Sequence, residues 1–467
     1  MASGFPISDR GFPDYRMPVS RQSTRQHLSR LEVRPSRSMG QNFLQDDELA
    51  RWMAESLEAG PDDTLVEIGP GLGAVTRHLV GQGRKLILVE KDARLAAALR
   101  ETHAGDEAVE VIEADAADLD LRPFFKLGPL KVLGNLPYSV GTTIMAEWLQ
   151  TPSPVGLAVF MLQQEVCDRV TASPRGGDYG QLTVRLQARW VAAQVRQVGP
   201  DSFHPRPSVQ SAIVSLRPRD RHELPVFDEA LLTRLVRLGF SQRRKQLKNV
   251  MTQLPLPWPE LCAILEVPET VRAEELSVAQ WVELTRRCDP HPLSDVPQSA
   301  AEVFDVVDDD DRVTGQATRS EVHAQGLKHR AVHVFAFTPH GELLLQKRSH
   351  LKDTCPELWD SSAAGHLDAG EDYAACVIRE LEEELGLEKI TAPPVKHARI
   401  TACAETGWEF VELYTVTAAT PRVRFPAAEI EAVRAFPVDE IAAWVAARPQ
   451  DFAPGFLRCW REWKDRS

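Results

Sequence analysis

The stretch Leu65-Val-Glu-Ile-Gly-Pro-Gly-Leu-Gly73 decides how the first half of this chain is read. Leu65–Ile68 has the look of a strand, it runs straight into a turn with glycine at every second position, and a helical pattern, Ala74–Val80, follows. A strand that passes through a glycine turn into a helix offers a ligand close backbone N–H groups and the positive end of the helix. Taken alone, the same pattern also serves as an ordinary tight turn. Working outward, short β-rich runs recur at Thr64–Ile68, Lys85–Glu90, Val109–Glu113, Lys131–Gly134 and Leu157–Leu162, separated by amphipathic segments. From Asp63 to about Leu216 this alternation predicts a parallel α/β sheet. Residues 225–287 read as helices only, with apolar positions three and four apart in Leu231–Leu238 and Leu276–Leu284.

At 467 residues the chain is long enough for at least two cores. A second α/β pattern begins near Glu302 and runs to the end. Before it, Asp289-Pro-His-Pro-Leu-Ser-Asp-Val-Pro-Gln-Ser-Ala300 holds three prolines and no period, so 289–301 is assigned as a linker. Residues 1–36 are polar, rich in Arg, Ser and Pro, and aperiodic, which predicts a disordered tail. The resulting division is 37–220, a helical unit 221–288, and 302–467. No apolar run approaches the roughly 20 residues of a membrane helix, and the N-terminus lacks the apolar core of a secretory signal. The seven cysteines, Cys167 to Cys459, include no C-x-x-C pair. They read as reduced thiols of a cytoplasmic protein, and no zinc site is expected.

The formal net charge of −13 at first argues against a nucleic-acid partner. The average hides a pattern, because residues 121–250 carry 18 basic and 9 acidic groups inside an otherwise acidic chain. Within them, Arg234, Arg237, Arg243, Arg244, Lys245 and Lys248 occur with no acid between them. A charge run is usually a solvated helix face, but such faces mix signs, and this one does not. Phosphate neutralisation by such a run gives an affinity that falls steeply with salt. Arg169, Arg175, Arg185 and Arg189 are candidates to extend the same surface.

The first candidate site gathers at strand ends. Glu90, closing Lys85–Glu90, is placed to accept both hydroxyls of a ribose. Asp115, in Glu113-Ala-Asp115, is placed to accept from an adenine amino group. An acid in such a position is otherwise a helix cap. The glycine turn alone is shared by dehydrogenases and methyltransferases; two strand-end acids around it fit an adenosyl ligand. The fourth strand ends in Gly134-Asn-Leu-Pro-Tyr138, where the Asn135 side chain and the backbone carbonyl after it can hold an exocyclic amine. Its lone pair is then aimed at an electrophile while Tyr138 offers a face for the base.

Five ordered motifs give this region a name. Gly40-Gln-Asn-Phe-Leu44, Glu67-Ile-Gly-Pro-Gly-Leu-Gly73, Asn135-Leu-Pro-Tyr138, Phe203-His-Pro-Arg-Pro-Ser-Val209 and Phe240-Ser-Gln-Arg-Arg-Lys-Gln-Leu-Lys-Asn249 resemble the KsgA/RsmA family of rRNA adenine dimethyltransferases over residues 34–288. The resemblance implies a Rossmann-like class I methyltransferase with a small all-helical RNA-binding domain. It implies S-adenosyl-L-methionine at Asn42, Leu44, Gly69, Gly71, Glu90, Asp115 and Asn135. Catalysis would fall to Asn135, Leu136, Pro137, Tyr138 and Phe203, with Tyr138 and Phe203 sandwiching the target base. The implied substrate is the N6 nitrogens of two adjacent adenosines near the 3′ end of small-subunit rRNA in a pre-ribosomal particle. A flipped adenine needs such a pocket, since its amine is out of reach while stacked. Transfer from a sulfonium is favourable and the proton can leave afterwards, so Asn135 is expected to orient and not to act as a base.

The second candidate site lies in Gly365-His-Leu-Asp-Ala-Gly-Glu-Asp-Tyr-Ala-Ala-Cys-Val-Ile-Arg-Glu-Leu-Glu-Glu-Glu-Leu-Gly-Leu387. Glu380, Glu383 and Glu384 stand at i, i+3 and i+4, which puts three carboxylates on one helical face. Glutamate-rich helices are commonly just solvated, but such a cluster is also a natural site for Mg²⁺ or Mn²⁺. Gly365, Glu371, Arg379, Glu380, Leu381, Glu383, Glu384, Gly386 and Leu387 match the Nudix box. The resemblance implies an α/β/α fold, metal-assisted attack of water on a diphosphate-linked substrate, and Glu380 as ligand or base. It also implies a Glu371–Arg379 pair. Lys328-His-Arg-Ala331, Leu343-Leu-Leu-Gln-Lys-Arg-Ser349 and Lys352-Asp-Thr-Cys-Pro-Glu-Leu-Trp359 resemble the isopentenyl-diphosphate isomerase branch. That isomerase has a cysteine where Ala364 stands here, so hydrolysis is the expected chemistry. Lys347 and Arg348 are candidate diphosphate ligands or solvated strand-end charges.

The expected whole is a bifunctional enzyme. The rivals are a non-catalytic nucleic-acid-binding factor on the methyltransferase fold, a large-subunit rRNA methylase, and a Nudix domain that senses a ligand without turnover.

Overall fold

A computed structural model describes residues 21–35, 41–290, 301–387, 392–417, 425–426 and 428–466. Gly40 and most of the expected linker, 291–300, lie outside the described residues. The first half is built on a seven-stranded sheet in the order Val109–Glu113, Lys85–Glu90, Thr64–Ile68, Leu130–Asn135, Val155–Gln163, Ser211–Pro218, Trp190–Val198. The first five neighbours are parallel and the last two strands antiparallel, a Rossmann-like arrangement. Parallel strands are covered on both faces and therefore read as apolar runs. Alternate residues sort to two sides: Val66, Ile68, Val132 and Phe160 pack with Trp148, while Leu65, Leu88 and Leu133 pack with Leu49, Met53 and Phe203.

The helical unit comprises Glu229–Gly239, Trp258–Ile264 and Val278–Cys288 around a core of Leu235, Val236, Leu247, Leu261, Trp281 and Val282. Asp228 caps the first helix by accepting from the Leu231 N–H at 2.8 Å, and Ser277 caps the last. A Cβ on Gly239 would stand 2.5 Å from the Trp281 ring, so only glycine lets these two helices approach so closely.

The C-terminal half is an α/β/α sandwich on a second seven-stranded sheet. Its strand His329–Phe337 pairs parallel with Glu409–Thr417 and antiparallel with Ala363–His366, and Leu343–Arg348 pairs with Ile430–Phe436. The helix Tyr373–Leu385 covers one face through Val377 and Leu381; Val438–Ala447 and Pro454–Lys464 cover the other through Trp444, Phe456 and Trp460.

Two findings depart from the sequence reading. The tail expected to be disordered over 1–36 is ordered from 21 to 35, with a helix at Arg21–Arg30. Its few apolar residues, Leu28, Leu31 and Val33, are enough to cover Phe43, Leu72 and Leu95, a small cluster that polar composition concealed. The second departure is a contact between the halves. Phe124 and Phe125 are consecutive, yet Phe124 belongs to the first sheet's core with Trp148, while Phe125 enters the C-terminal core beside Trp359, Phe436 and Trp444. Burying one such ring contributes about 1.5–3 kcal/mol.

Trp148 is fully buried against Phe124 and donates its indole N–H to the Ala116 carbonyl at 2.9 Å. Trp148→Ala is expected to cost about 3–5 kcal/mol through the cavity left behind. A denaturant midpoint unchanged for the N-terminal core would contradict this packing.

Candidate functional site

The glycine turn lies at the C-terminal end of Thr64–Ile68, the central strand. Gly69, Gly71 and Gly73 all take positive φ, at 66°, 58° and 75°, so the turn demands glycine at all three. The Gly71 N–H donates to Glu90 Oε2 at 3.0 Å, and the Asp92 N–H donates to Glu90 Oε1 at 2.9 Å. Glu90 is thereby fixed at the rim of a cleft also lined by Asn42, Leu44, Gly69, Asp115, Asn135 and Pro137. Burial raises the Glu90 carboxyl, and the two backbone donors oppose that shift. Asp115 pairs with Lys91 at 2.5 Å and accepts from the Ala117 N–H, and both contacts hold its carboxyl below the usual range. Asn135 donates from Nδ2 to the Asn42 carbonyl at 3.1 Å, which ties the Gln41–Leu44 segment to the end of the fourth strand. These groups fit an adenosyl ligand: two carboxylates at adjacent strand ends, glycine backbone at the end of the next strand beyond Glu90, and an apolar wall from Ile68, Val89 and Ile144.

The sequence reading gave no role of its own to Glu67, which lines the same cleft and accepts from Thr76 Oγ1 at 2.7 Å. Burial pushes its carboxyl up to about 7. A carboxylate inside a β-strand is a signal for such a site, because a central parallel strand has no solvated face.

The aromatic pair is not as expected. Tyr138 is half-buried and its hydroxyl lies 2.7 Å from Ser211 Oγ. Phe203 is 1% exposed and packed with the core of Leu44 and Leu49, so it offers no open face to a base in this conformation. Its strand, Phe203–His204, pairs with Phe43–Leu44, which is why the ring turns inward. Leu136 likewise lies in the core, leaving its backbone to line the turn.

The basic run spans a helix end and the turns beyond it and does not form one helical face. Arg234, Arg237, Arg244, Lys245 and Lys248 are exposed. Arg243 is exposed too, but its guanidinium is spent on Glu274 at 2.8 Å and on the Gly177 carbonyl at 2.6 Å, so its part is to brace the turn. Of the candidate extensions, Arg169 pairs with Glu165 and Arg189 with Glu229.

In the C-terminal half, the helix Tyr373–Leu385 is capped by Asp372 and closed by Gly386 in the left-handed conformation. Its Glu380 and Glu384 are buried, 7% and 2% exposed, whereas the Glu383 side chain is 58% exposed. Arg379 donates to both oxygens of Glu371 at 3.0 and 2.8 Å, to Glu380 at 2.7 Å and to Glu383 at 3.1 Å. Glu384 Oε2 accepts from the Ala364 N–H at 2.9 Å. A Cβ on Gly365 would fall 1.9 Å from Glu380 Oε1, so this glycine makes room for the carboxylate. Burial pushes Glu380 up to about 7, and burial together with the Glu380 charge raises Glu384 well above the usual range. Two buried like charges this close fit a divalent cation of the Mg²⁺ type. Lys352, itself buried, approaches from the other side and pairs with Glu429 at 3.3 Å. Glu429 therefore adds a further acid that sequence spacing did not reveal. Arg348 is engaged by Asp360 at 3.0 Å and by the Thr354 carbonyl, while Lys347 stands 4.0 Å from Glu431.

A second cluster was also missed. His323, His329 and His366 bring ring nitrogens within 4.8 Å of one another. Glu409 Oε1 lies 2.9 Å from His366 Nε2 and 3.6 Å from His329 Nε2. Burial pushes His366 down to about 4, which keeps it in the neutral, ligating form. The imidazole-rich set suits a transition metal better than Mg²⁺. Its residues come from a helix and two strands, so no local spacing announces it.

Two family models match the chain, one in each half. The family model described as ribosomal RNA adenine dimethylase matches residues 34–289, and the NUDIX domain model matches residues 327–456. The ribosomal RNA small subunit methyltransferase A of Chlorobium luteolum is 36% identical over 274 residues, covering 59% of this chain and 97% of its own. The protein of the same name from Bordetella avium is 38% identical over 248 residues, covering 53% and 92%. Among solved structures, the 23S rRNA methyltransferase ErmE is 29% identical, covers 53% of this chain and 100% of its own, and has a TM-score of 0.44.

Metal uptake has to displace the proton of Glu380, whose carboxyl is pushed up to about 7, and that of Glu384, raised well above the usual range. Magnesium affinity measured by calorimetry is expected to weaken on lowering the pH from about 8 to about 6, with protons released on binding. Affinity independent of pH over that window would contradict the assignment. Purified without chelator, the protein is expected to carry about one equivalent of a transition metal that His366→Ala loses; elemental analysis of both forms is the check.

Proposed function

The chain belongs to the ribosomal RNA adenine dimethylase family, and from that premise we propose that it dimethylates the N6 amines of two adjacent adenosines near the 3′ end of small-subunit rRNA. S-adenosyl-L-methionine is the methyl donor. The observation that carries this reading is the Asn135-Leu-Pro-Tyr138 turn, tied by the Asn135–Asn42 bond to the cleft that Glu90 and Asp115 also line. Asn135 and the Leu136 carbonyl hold the amine, Tyr138 stacks on the base, and Phe203 turns outward when the base enters. Arg234, Arg237, Arg244, Lys245 and Lys248 bind phosphates of the RNA. The small-subunit target rests on the relatives, which are small-subunit methyltransferases by name. Ribosome assembly places the activity in the cytoplasm; no helix among the described residues is long and apolar enough to cross a membrane.

The C-terminal half is proposed to hydrolyse a diphosphate-linked small molecule with Mg²⁺ or Mn²⁺ bound by Glu380, Glu383 and Glu384. Glu380 or its neighbour serves as base, and Glu371 with Arg379 braces the loop. In lineage it stands with the isopentenyl-diphosphate isomerase branch. Ala364, where the isomerase carries its thiol, favours hydrolysis over isomerisation.

Labelled cofactor and under-methylated small subunits test the first activity. Incorporation at two adjacent adenosines is expected, falling about 10²-fold or more in Asn135→Ala; no incorporation would leave a binding factor, and a large-subunit target would be seen by mapping. Glu384→Gln is expected to abolish Mg²⁺-dependent diphosphate hydrolysis. A mutant as active as the parent would overturn the second assignment.

A further inference from the structure

The segment Arg122–Leu127 serves two cores at once. Phe124 packs edge-on to Trp148 with ring centroids 5.9 Å apart, in the core that floors the cofactor cleft through Ala116. Phe125 points the other way and sits in an aromatic cage of the C-terminal half, 5.7 Å from Trp359, 5.6 Å from Phe436 and 5.2 Å from Trp444. The first two rings meet it edge-on, at 89° and 88°, the arrangement that aromatic quadrupoles favour.

Around this apolar centre runs a charged rim. Arg122 pairs with Glu342, Lys126 with Glu440 at 3.1 Å, and Arg221 with Glu431 at 2.5 Å. Arg434 lies over the Phe125 ring and donates to the Pro152 carbonyl at 3.2 Å. Arg448 packs on Gly128, where a Cβ would stand 2.8 Å from its guanidinium. His222 meets His350 at a ring separation of 4.9 Å. In all three ion pairs the cation comes from the first half and the anion from the second. An apolar anchor in a fitted pocket, ringed by complementary charge, is how lasting interfaces are built.

We propose that the face carrying Arg122–Leu127 is a docking surface whose partner is the chain's own C-terminal half, and that the two halves form a permanent complex held by the Phe125 plug. The linker then only raises the local concentration of surfaces that already fit. Part of the basic excess of residues 121–250 is docking charge and not RNA-binding charge. A C-terminal half without the plug keeps a cage of Trp359, Phe436 and Trp444 around an empty ring-sized hole.

The test uses the full chain with a specific protease site introduced between residues 291 and 300. Cutting removes a tether worth an effective concentration of about 1 mM. At about 1 µM protein, the two pieces are expected to elute together on size exclusion. Separate elution of the cut wild type would overturn the proposal. In the cut protein Phe125→Asp is expected to release the halves; elution as one species, as tightly as wild type, would equally overturn it. Because an acid in the cage can also disturb the C-terminal fold, a charge swap gives an independent reading. Arg122→Glu is expected to weaken the complex about tenfold, and adding Glu342→Arg to restore it. A swap that leaves affinity as low as the single variant would deny the rim its part.

Discussion

A carboxylate taken out of water has to be given a donor, a cation or a proton, and both sites of this protein are organised around that demand. In the first half, Glu90 is met by the N–H groups of Gly71 and Asp92, and Glu67 by Thr76. In the second, Glu384 is met by the Ala364 N–H, and Glu380 by Arg379. The difference lies in what remains. The buried Glu90 and Glu67 of the first half meet neutral donors, and only the more open Asp115 meets a cation, Lys91, which suits a ligand that brings hydroxyls and an amine. Those of the second are left with excess negative charge, which suits a metal ion. The same chemical group thus prepares one site for hydrogen-bond donors and the other for a cation, and the choice is made by the surrounding backbone.

The parallel sheet was legible because its strands are covered on both faces and so have uniform composition. Thr64–Ile68, Lys85–Glu90 and Val109–Glu113 coincide with the expected ranges, and two further strands extend theirs by one or two residues at each end. The strand-end acids were legible for a related reason: a parallel sheet sends all its strand ends to one edge, so Glu90, Asp115 and Asn135 had to meet. What was not legible depends on contacts between distant segments. Phe203 opens one of the five motifs, but its orientation is set by pairing with Phe43–Leu44, far away in sequence. Arg243 looks like its neighbours until Glu274 and the Gly177 carbonyl are placed beside it. The three histidines and Glu409 are drawn from four separate elements, and Glu429 from the turn just before the strand Ile430–Phe436.

Charge had the same character. Net charge described the protein poorly, charge per segment described it better, and only the structure separated basic residues that face solvent from those already engaged. Arg122, Lys126 and Arg221 face acids of the C-terminal half, while Arg244, Lys245 and Lys248 face water. A polyelectrolyte partner would compete for the second group alone.

The adjacency of Phe124 and Phe125 carries one more consequence. Connections on a protein surface ordinarily accept insertions, because nothing on either side fixes their length. Here two consecutive side chains answer to two different interiors, so one residue added or lost between Leu121 and Gly128 would turn at least one ring away from its pocket. The segment is a short 3-10 helix by geometry and a core element by constraint. Among descendants of this chain its length should drift no faster than that of the central strands.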